Sequence, residues 1–263
     1  MDPTTDITAF YDGLAADYDS MTGFDRRIVH DRPFFRVLLD RFGIGTAIDA
    51  GAGTGFHALL LAQLGVAVTA VDVSGAMLEH LAGHAARLGL NVPTLRVPME
   101  ALSPGVVEPV DAVFCMGNTI AHLPAGGALQ DALQAFRSVL RPGGILFLQV
   151  LNYDRILADR ERIQSVREEG GVTYVRFYDF AGDHLVFNIL RLKRENGGHR
   201  HALSSVPLYP VTQSGIDGAL AAAGFGGRKY FGDISLSPFD SSRSRDCVVL
   251  ATQADSPTTP EKE

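Results

Sequence analysis

Three glycines at alternate positions, Gly51, Gly53 and Gly55, follow Asp49 in the run AIDAGAGTGFHALLL, residues 47–61. Glycine lets a chain turn tightly and bring its bare backbone against a ligand, because there is no Cβ in the way. A strand-like apolar run enters this turn and a helix-like one leaves it, the setting in which an adenosine-bearing molecule is held at a strand end. About twenty residues on, VTAVDV ends in Asp72, and a carboxylate there can accept hydrogen bonds from both hydroxyls of a ribose. Glycine turn plus acidic strand end points to adenosine binding.

Two kinds of adenosine ligand compete for such a turn. A dinucleotide loop reads G-x-G-x-x-G and sets a pyrophosphate at a helix N-terminus. Here Phe56 occupies the place of the third dinucleotide glycine, and Asp49 would repel a pyrophosphate. A sulfonium nucleoside has no phosphate and carries positive charge, so neighbouring carboxylates suit it. The loop therefore favours S-adenosylmethionine over a nicotinamide dinucleotide. A nicotinamide-dependent oxidoreductase and a non-catalytic S-adenosylmethionine-binding protein stand as the alternatives, since the same loop serves binding without turnover.

The elements that must position these residues follow from periodicity. Short apolar strands are expected at 46–50, 67–72, 94–97, 111–116 and 144–150, with helices at 56–64, 75–88 and 126–140 between them. In the last helix Leu129, Ala132, Leu133, Phe136, Val139 and Leu140 form one stripe. This alternation predicts an α/β fold with a parallel sheet and helices on both faces. Residues 1–45 read as a helical N-terminal segment, with Tyr11, Leu14, Ala15 and Tyr18 at helical spacing and a second piece from Pro33 to Phe42. From 172 to 206 apolar residues alternate in twos, which predicts two or three antiparallel strands covering or extending the sheet. A helix at 213–224 and an antiparallel closing pair at 227–232 and 246–252 complete the domain, taken as 46–253 with an insert over about 152–210. The polar tail, 254–263, reads as disordered.

Composition narrows the partners. The 263 residues carry a formal charge of −7, and no basic run offers a nucleic-acid footprint. The most apolar stretch, Ala58 to Ala70, is broken by Gln63 and Gly65 and is too short to span a bilayer. The first residues, MDPTTDITAF, lack a signal-peptide pattern, so a cytoplasmic location is expected. Cys115 and Cys247 form no disulfide framework, and no metal site is expected from them or from the eight histidines.

The D-x-G-x-G-x-G loop, the acidic second-strand end, VDAVFCMGN and LRPGGILFLQV together resemble a class I (Rossmann-like) methyltransferase along nearly the whole chain. The resemblance implies a seven-stranded, mostly parallel sheet whose last hairpin is antiparallel. It also implies methyl transfer from S-adenosylmethionine to a small-molecule acceptor, with no nucleic-acid or membrane partner. By position, Asp49, Gly51, Ala52, Gly53 and Gly55 match the cofactor loop. Asp72 matches the ribose acid, Val73 and Met77 the adenine side, and Met99 and Glu100 the residues flanking adenine. A narrower likeness, to the glycine N-methyltransferase group, rests on CMGNTIAHLP (115–124), NYDRIL (152–157) and LYP (208–210). It implies cofactor contact by Met116, Gly117 and His122, and acceptor-side catalytic roles for Asn118 and Tyr209. It also implies a carboxylate-binding Arg27 and lid tyrosines at Tyr11 and Tyr18. Plainer readings stand beside these: a packed core histidine, an asparagine capping a turn, a tyrosine packed before a proline, a solvated helix arginine. Leu151 stands where the glycine enzymes hold an arginine for the acceptor carboxylate, which argues against glycine and leaves Arg155, Arg176 and Arg243 as other sources of charge. The acceptor, the accepting atom and the oligomeric state stay open.

Overall fold

A computed structural model describes residues 3–195 and 198–253; the tail expected to be disordered lies outside them. Three helices come first: α1 (Pro3–Asp12), α2 (Ala15–Thr22) and α3 (Phe24–Phe42). The sequence alone separates the last of these at Pro33, yet α3 runs through it. Proline removes the hydrogen bond to the carbonyl four residues back, here that of Val29. Val29 is 76% exposed, so water can satisfy that carbonyl and the helix survives.

Next come β1 (Thr46–Ala50), α4 (Phe56–Gln63), β2 (Ala67–Asp72), α5 (Gly75–Leu88), β3 (Thr94–Arg96), β4 (Val110–Cys115), α6 (Ala128–Val139) and β5 (Leu140–Leu151). After the insert follow α8 (Gln213–Ala222), β10 (Phe225–Phe231) and β11 (Asp246–Gln253). The seven strands lie in the order β10-β11-β5-β4-β1-β2-β3. Strands β1 to β5 run parallel, and β11 enters antiparallel between β5 and β10, as the closing pair predicts.

Period-two burial explains why the sheet takes helices on both faces. In β4, Ala112 and Phe114 join the core under α3 and α4, while Val113 and Cys115 join the core under α6 and α8. Strand β5 repeats the pattern with Ile145 and Phe147 against Leu146 and Leu148. A strand buried on both sides must be apolar throughout, which these runs are. The register at the sheet's base is pinned by Asp111, whose Oδ2 accepts from the Gly45 and Thr46 amides and the Thr46 hydroxyl at 2.8–3.0 Å.

The insert is more elaborate than its sequence suggests. It comprises α7 (Tyr153–Asp159) and a separate four-stranded antiparallel sheet, β6 (Ile163–Glu169), β7 (Val172–Ala181), β8 (His184–Glu195) and β9 (Gly198–Leu208). This sheet packs on the N-terminal helices and α7 and does not extend the main sheet. Strand β6, IQSVREE, has no buried residue, so it lacks the alternation that reveals its neighbours. The inner face buries Tyr174, Ile189 and Val206 against Phe10, Leu14 and Met21 of the N-terminal helices. Tyr178, Leu185 and Leu208 pack on Tyr153 and Ile156 of α7. The helices α1 and α2 are thus held between this sheet and α5.

Candidate active site

A cleft of about 1120 Å³, open to solvent, lies over the carboxyl ends of β1, β2 and β4 and is roofed by α1 and α2. Of the residues given cofactor-binding or catalytic roles from sequence, all but Asp49, Gly55, Asn118 and Tyr209 line it. Each of those four has another position.

The loop between β1 and α4 is wired internally. The amides of Gly51 and Ala52 both donate to the Val71 carbonyl, at 2.8 and 2.9 Å, and that of Gly55 donates to the Ala52 carbonyl at 2.9 Å. The Gly53 amide donates to Asp72 Oδ2 at 2.8 Å, and Asp72 Oδ1 accepts from the Ser74 amide at 2.9 Å. A phosphate-binding turn presents its amides outward as a nest; here four are already spent. Glycine is required where φ is positive and a side chain would collide. At Gly51, φ is +79° and a Cβ would drive into the Thr119 side chain; at Gly55, φ is +94° and a Cβ would meet Leu81 Cγ at 2.5 Å. Gly55 therefore lets α4 pack on α5 and does not face the cleft.

Beneath this loop lie two acidic side chains, Asp49 and Asp72. Asp49 is 1% exposed, and neither of its carboxylate oxygens has a hydrogen-bond partner. Burial pushes its carboxyl up to about 7, relieved only weakly by the Ala58 amide, which misses hydrogen-bond geometry; Asp72 nearby adds to the rise. Burial also raises Asp72, opposed by the amides that hold it. Each Asp72 oxygen accepts one N–H and keeps acceptor capacity for a ribose hydroxyl. Two poorly compensated carboxylates beside spent amides form a seat for a cation, not for a pyrophosphate.

The turn after β4 holds consecutive left-handed residues, Gly117 at φ 73° and Asn118 at φ 69°. Glycine and asparagine tolerate that conformation best, which is why MGN makes this turn. Gln149 Oε1 fixes it by accepting from the Gly117 amide at 2.7 Å. Asn118 spends both ends of its amide: Nδ2 donates to the Tyr153 hydroxyl at 2.8 Å and Oδ1 accepts from the Leu151 amide at 3.0 Å. It ties β4 to β5 and α7 and stands outside the cleft lining. The Tyr209 amide donates to the Ala121 carbonyl at 2.7 Å, and its ring faces His184 at 6.0 Å, also away from the lining.

His122 sits 2.7 Å from the Tyr11 hydroxyl through Nε2. Burial lowers its pKa to about 4, so it is neutral at pH 7, and with Nε2 unprotonated it accepts from Tyr11. Burial likewise keeps Tyr11 and Tyr18 protonated and lowers His57. Arg27 lies over the Phe56 ring at 4.0 Å and lines the cleft. Among the described residues no carboxylate forms an ion pair with it.

These features decide the ligand class, and the comparisons agree. A family profile described as a methyltransferase domain matches residues 47–144. A glycine/sarcosine N-methyltransferase of Halorhodospira halochloris is 30% identical over 203 residues, 76% of this chain and 73% of that protein. The chain belongs to the class I S-adenosylmethionine-dependent methyltransferases. A methyltransferase structure from Clostridium acetobutylicum superposes with a TM-score of 0.78 at 15% identity, covering 93% of this chain and 99% of that one. The CcbJ methyltransferase of Streptomyces caelestis gives 0.71 at 25% identity, covering 85% and 90%. The methyltransferase residues that sequence reasoning missed are supports: Thr119 fills the space beside Gly51, Tyr153 holds Asn118, and Gln149 holds Gly117. Support of this kind carries no local signature, because each partner is distant in sequence. Among the described residues no helix is long and apolar enough to cross a membrane.

Of the three arginines offered in place of Leu151, two are engaged elsewhere. Arg155 pairs with Glu161 at 2.6 Å, and Arg243, 85% exposed, pairs with Asp240 at 2.7 Å. Arg176 lies on the inner face of β7, donates to the Met21 carbonyl at 3.2 Å and has its pKa lowered by burial beside Tyr18 and Tyr11.

Proposed function

We propose that this methyltransferase acts on the nitrogen of a small amine that also bears an acidic group. One observation carries the choice of nitrogen: the imidazoles and phenols lining the cleft are held neutral, and its two carboxylates, Asp72 and Glu100, are taken by the cofactor's ribose and adenine in this reading. His122 is depressed to about 4, His57 is depressed further than an ordinary histidine, and Tyr11 and Tyr18 are held protonated. An alcohol or phenol must be deprotonated to attack, whereas an unprotonated amine brings its own lone pair. A dry site under α1 and α2 lowers an amine's pKa and favours that form. The name of the Halorhodospira relative, a glycine/sarcosine N-methyltransferase, supports the same reading.

When bound, S-adenosylmethionine supplies an activated methyl group on sulfur. The chain's part is to seat and orient. Asp72 accepts from the ribose hydroxyls, Met77, Met99 and Glu100 flank the adenine, and Arg27 meets the amino-acid carboxylate. Asp49, below the loop with Gly51, Ala52 and Gly53, supplies the negative potential a cation needs. Tyr11 and Tyr18 close the cleft, with Tyr11 oriented by His122. Asn118 acts by holding the β4 turn, and Tyr209 by fixing the end of β9. Residues 1–45 serve as the lid, and the second sheet is its outer wall. Arg176, half-buried behind the lining tyrosines Tyr11 and Tyr18 and without a carboxylate partner among the described residues, is the cation for the acceptor's acidic group. A partly desolvated guanidinium without a counter-ion is costly, and a ligand anion offsets that cost.

The test is a labelled-methyl assay over matched acceptors: amines with and without a carboxylate, and the corresponding hydroxy acids. Acidic amines should be labelled, and Arg176→Leu should raise their KM at least about tenfold, a charge-assisted bond's worth, with little change for uncharged amines. Labelling of hydroxy acids in preference to amines would refute the nitrogen assignment.

A further inference from the structure

Among the described residues, one cluster outside the cleft gathers side chains of metal-ligating types, which the sequence expectation of no metal site does not include. His80 and His84 stand four residues apart on α5, so their imidazoles leave the helix on one face. Asp19 of α2 reaches the same point, and one ligand atom from each of the three lies within 4.8 Å of the others. Asp19 Oδ2 is 2.9 Å from His84 Nε2, and Asp19 Oδ1 is buried with no hydrogen-bond partner. The His84 side chain is 9% exposed and that of Asp19 29%, while half-buried His80 gives solvent a way in.

We propose that Asp19, His80 and His84 bind a divalent cation of the zinc type, which clamps α2 onto α5. Two imidazole nitrogens and one carboxylate suit zinc, cobalt or nickel, whereas magnesium and calcium prefer all-oxygen sets. The ion takes the place of the direct Asp19–His84 contact, the histidines bind as neutral imidazoles, and water completes the shell. Such a clamp has a mechanical consequence. Tyr18 precedes Asp19 in the chain, Met77 lies one turn before His80, and both line the cleft. A cation that fixes α2 against α5 holds the roof over the bound cofactor and slows its departure. This last step rests on the lid reading above; the binding of the ion does not.

The experiment titrates Co²⁺ into the untagged, chelator-treated full chain and follows visible absorption. One equivalent should bind with bands typical of imidazole–carboxylate cobalt and be displaced by Zn²⁺. His80→Ala and Asp19→Asn should each weaken cobalt at least about tenfold. Both substitutions lie outside the cleft lining, so retained S-adenosylhomocysteine binding shows that the variants are folded. No band in wild type at large cobalt excess, or a band unchanged in both variants, overturns the site. Stopped-flow release of S-adenosylhomocysteine should slow severalfold with Zn²⁺ in wild type and not in His80→Ala. An unchanged rate with the ion bound overturns the clamp and leaves the site.

Discussion

At the scale of single residues, the cleft is governed by burial acting on charge. The Asp49 carboxyl is raised from 3.8 to about 7, so between those values the folded chain binds more protons than the unfolded one. Its contribution is favourable at low pH and is lost as pH rises toward 7, by roughly 4 kcal/mol at most. His122, lowered from 6.5 to about 4, acts oppositely: its contribution is present above 6.5 and is lost as pH falls toward 4. The two slopes oppose each other in the ligand-free protein. Asp49→Asn should therefore tilt stability upward from pH 5 to pH 8, and His122→Gln should tilt it downward, in urea unfolding without cofactor. Parallel shifts in the two variants would contradict both assignments. Asp49→Asn should also weaken S-adenosylmethionine, because the carboxylate's negative potential is gone. Steric demand is as local as charge. Gly51→Ala must displace Thr119 and hold alanine at φ +79°, and is expected to cost about 2–4 kcal/mol. Thr119→Ala should relieve only the collision, so the double variant will be more stable than the sum of the single losses predicts.

At the scale of elements, α3 carries a proline that its neighbours tolerate at a cost. Pro33 is exposed, and it deprives Val29 of a partner within the helix. Pro33→Ala should restore that bond and raise stability by about 1–2 kcal/mol, the helix gain being partly offset by a freer unfolded chain. Thermal unfolding without cofactor measures it, and a lower Tm would mean that the ring packs in a way its exposure denies. The same helix shows where sequence reading stops. Strands β1 and β2 were legible to the residue because their runs are apolar on both faces, bounded by glycine and aspartate. Helix α6 was legible because its stripe faces one sheet. Pro33 misled because the rule for proline ignores whether water can reach the freed carbonyl, and β6 escaped because an edge strand with no buried residue has no period to read. The glycine loop and the strand ends that line the cleft carry a local pattern and so could be named. Asn118 was assigned to the pocket from its neighbours in the chain, but its partners, Tyr153 and Leu151, come from another strand and a helix.

At the scale of the whole molecule, the cleft exists only where the main sheet meets the N-terminal helices, which the second sheet backs. Asp72 and Met116 come from the main sheet and its β4 turn, Tyr11 and Tyr18 from the roof, and polar links hold the roof to both the main domain and the second sheet, among them Tyr11 to His122 at 2.7 Å, Asp17 to Arg191 at 2.7 Å and the Met21 carbonyl to Arg176 at 3.2 Å. A ligand touching both parts binds only the closed, folded chain. S-adenosylhomocysteine at about a hundred times its Kd should thus add about 2.7 kcal/mol to global stability, while NADH adds nothing. Its local effect is the sharper test. Helices α1 and α2 make their contacts chiefly with α5 and the second sheet, so their opening free energy lies below that of the core. Ligand-bridged closure must raise it, slowing amide exchange over residues 7–22 severalfold and leaving α8, which packs on α6 and β10 and contributes nothing to the cleft lining, unchanged. Global stabilisation without that local protection would place the N-terminal helices outside the binding unit, and Tyr11 and Tyr18 would then be packing residues and not a lid.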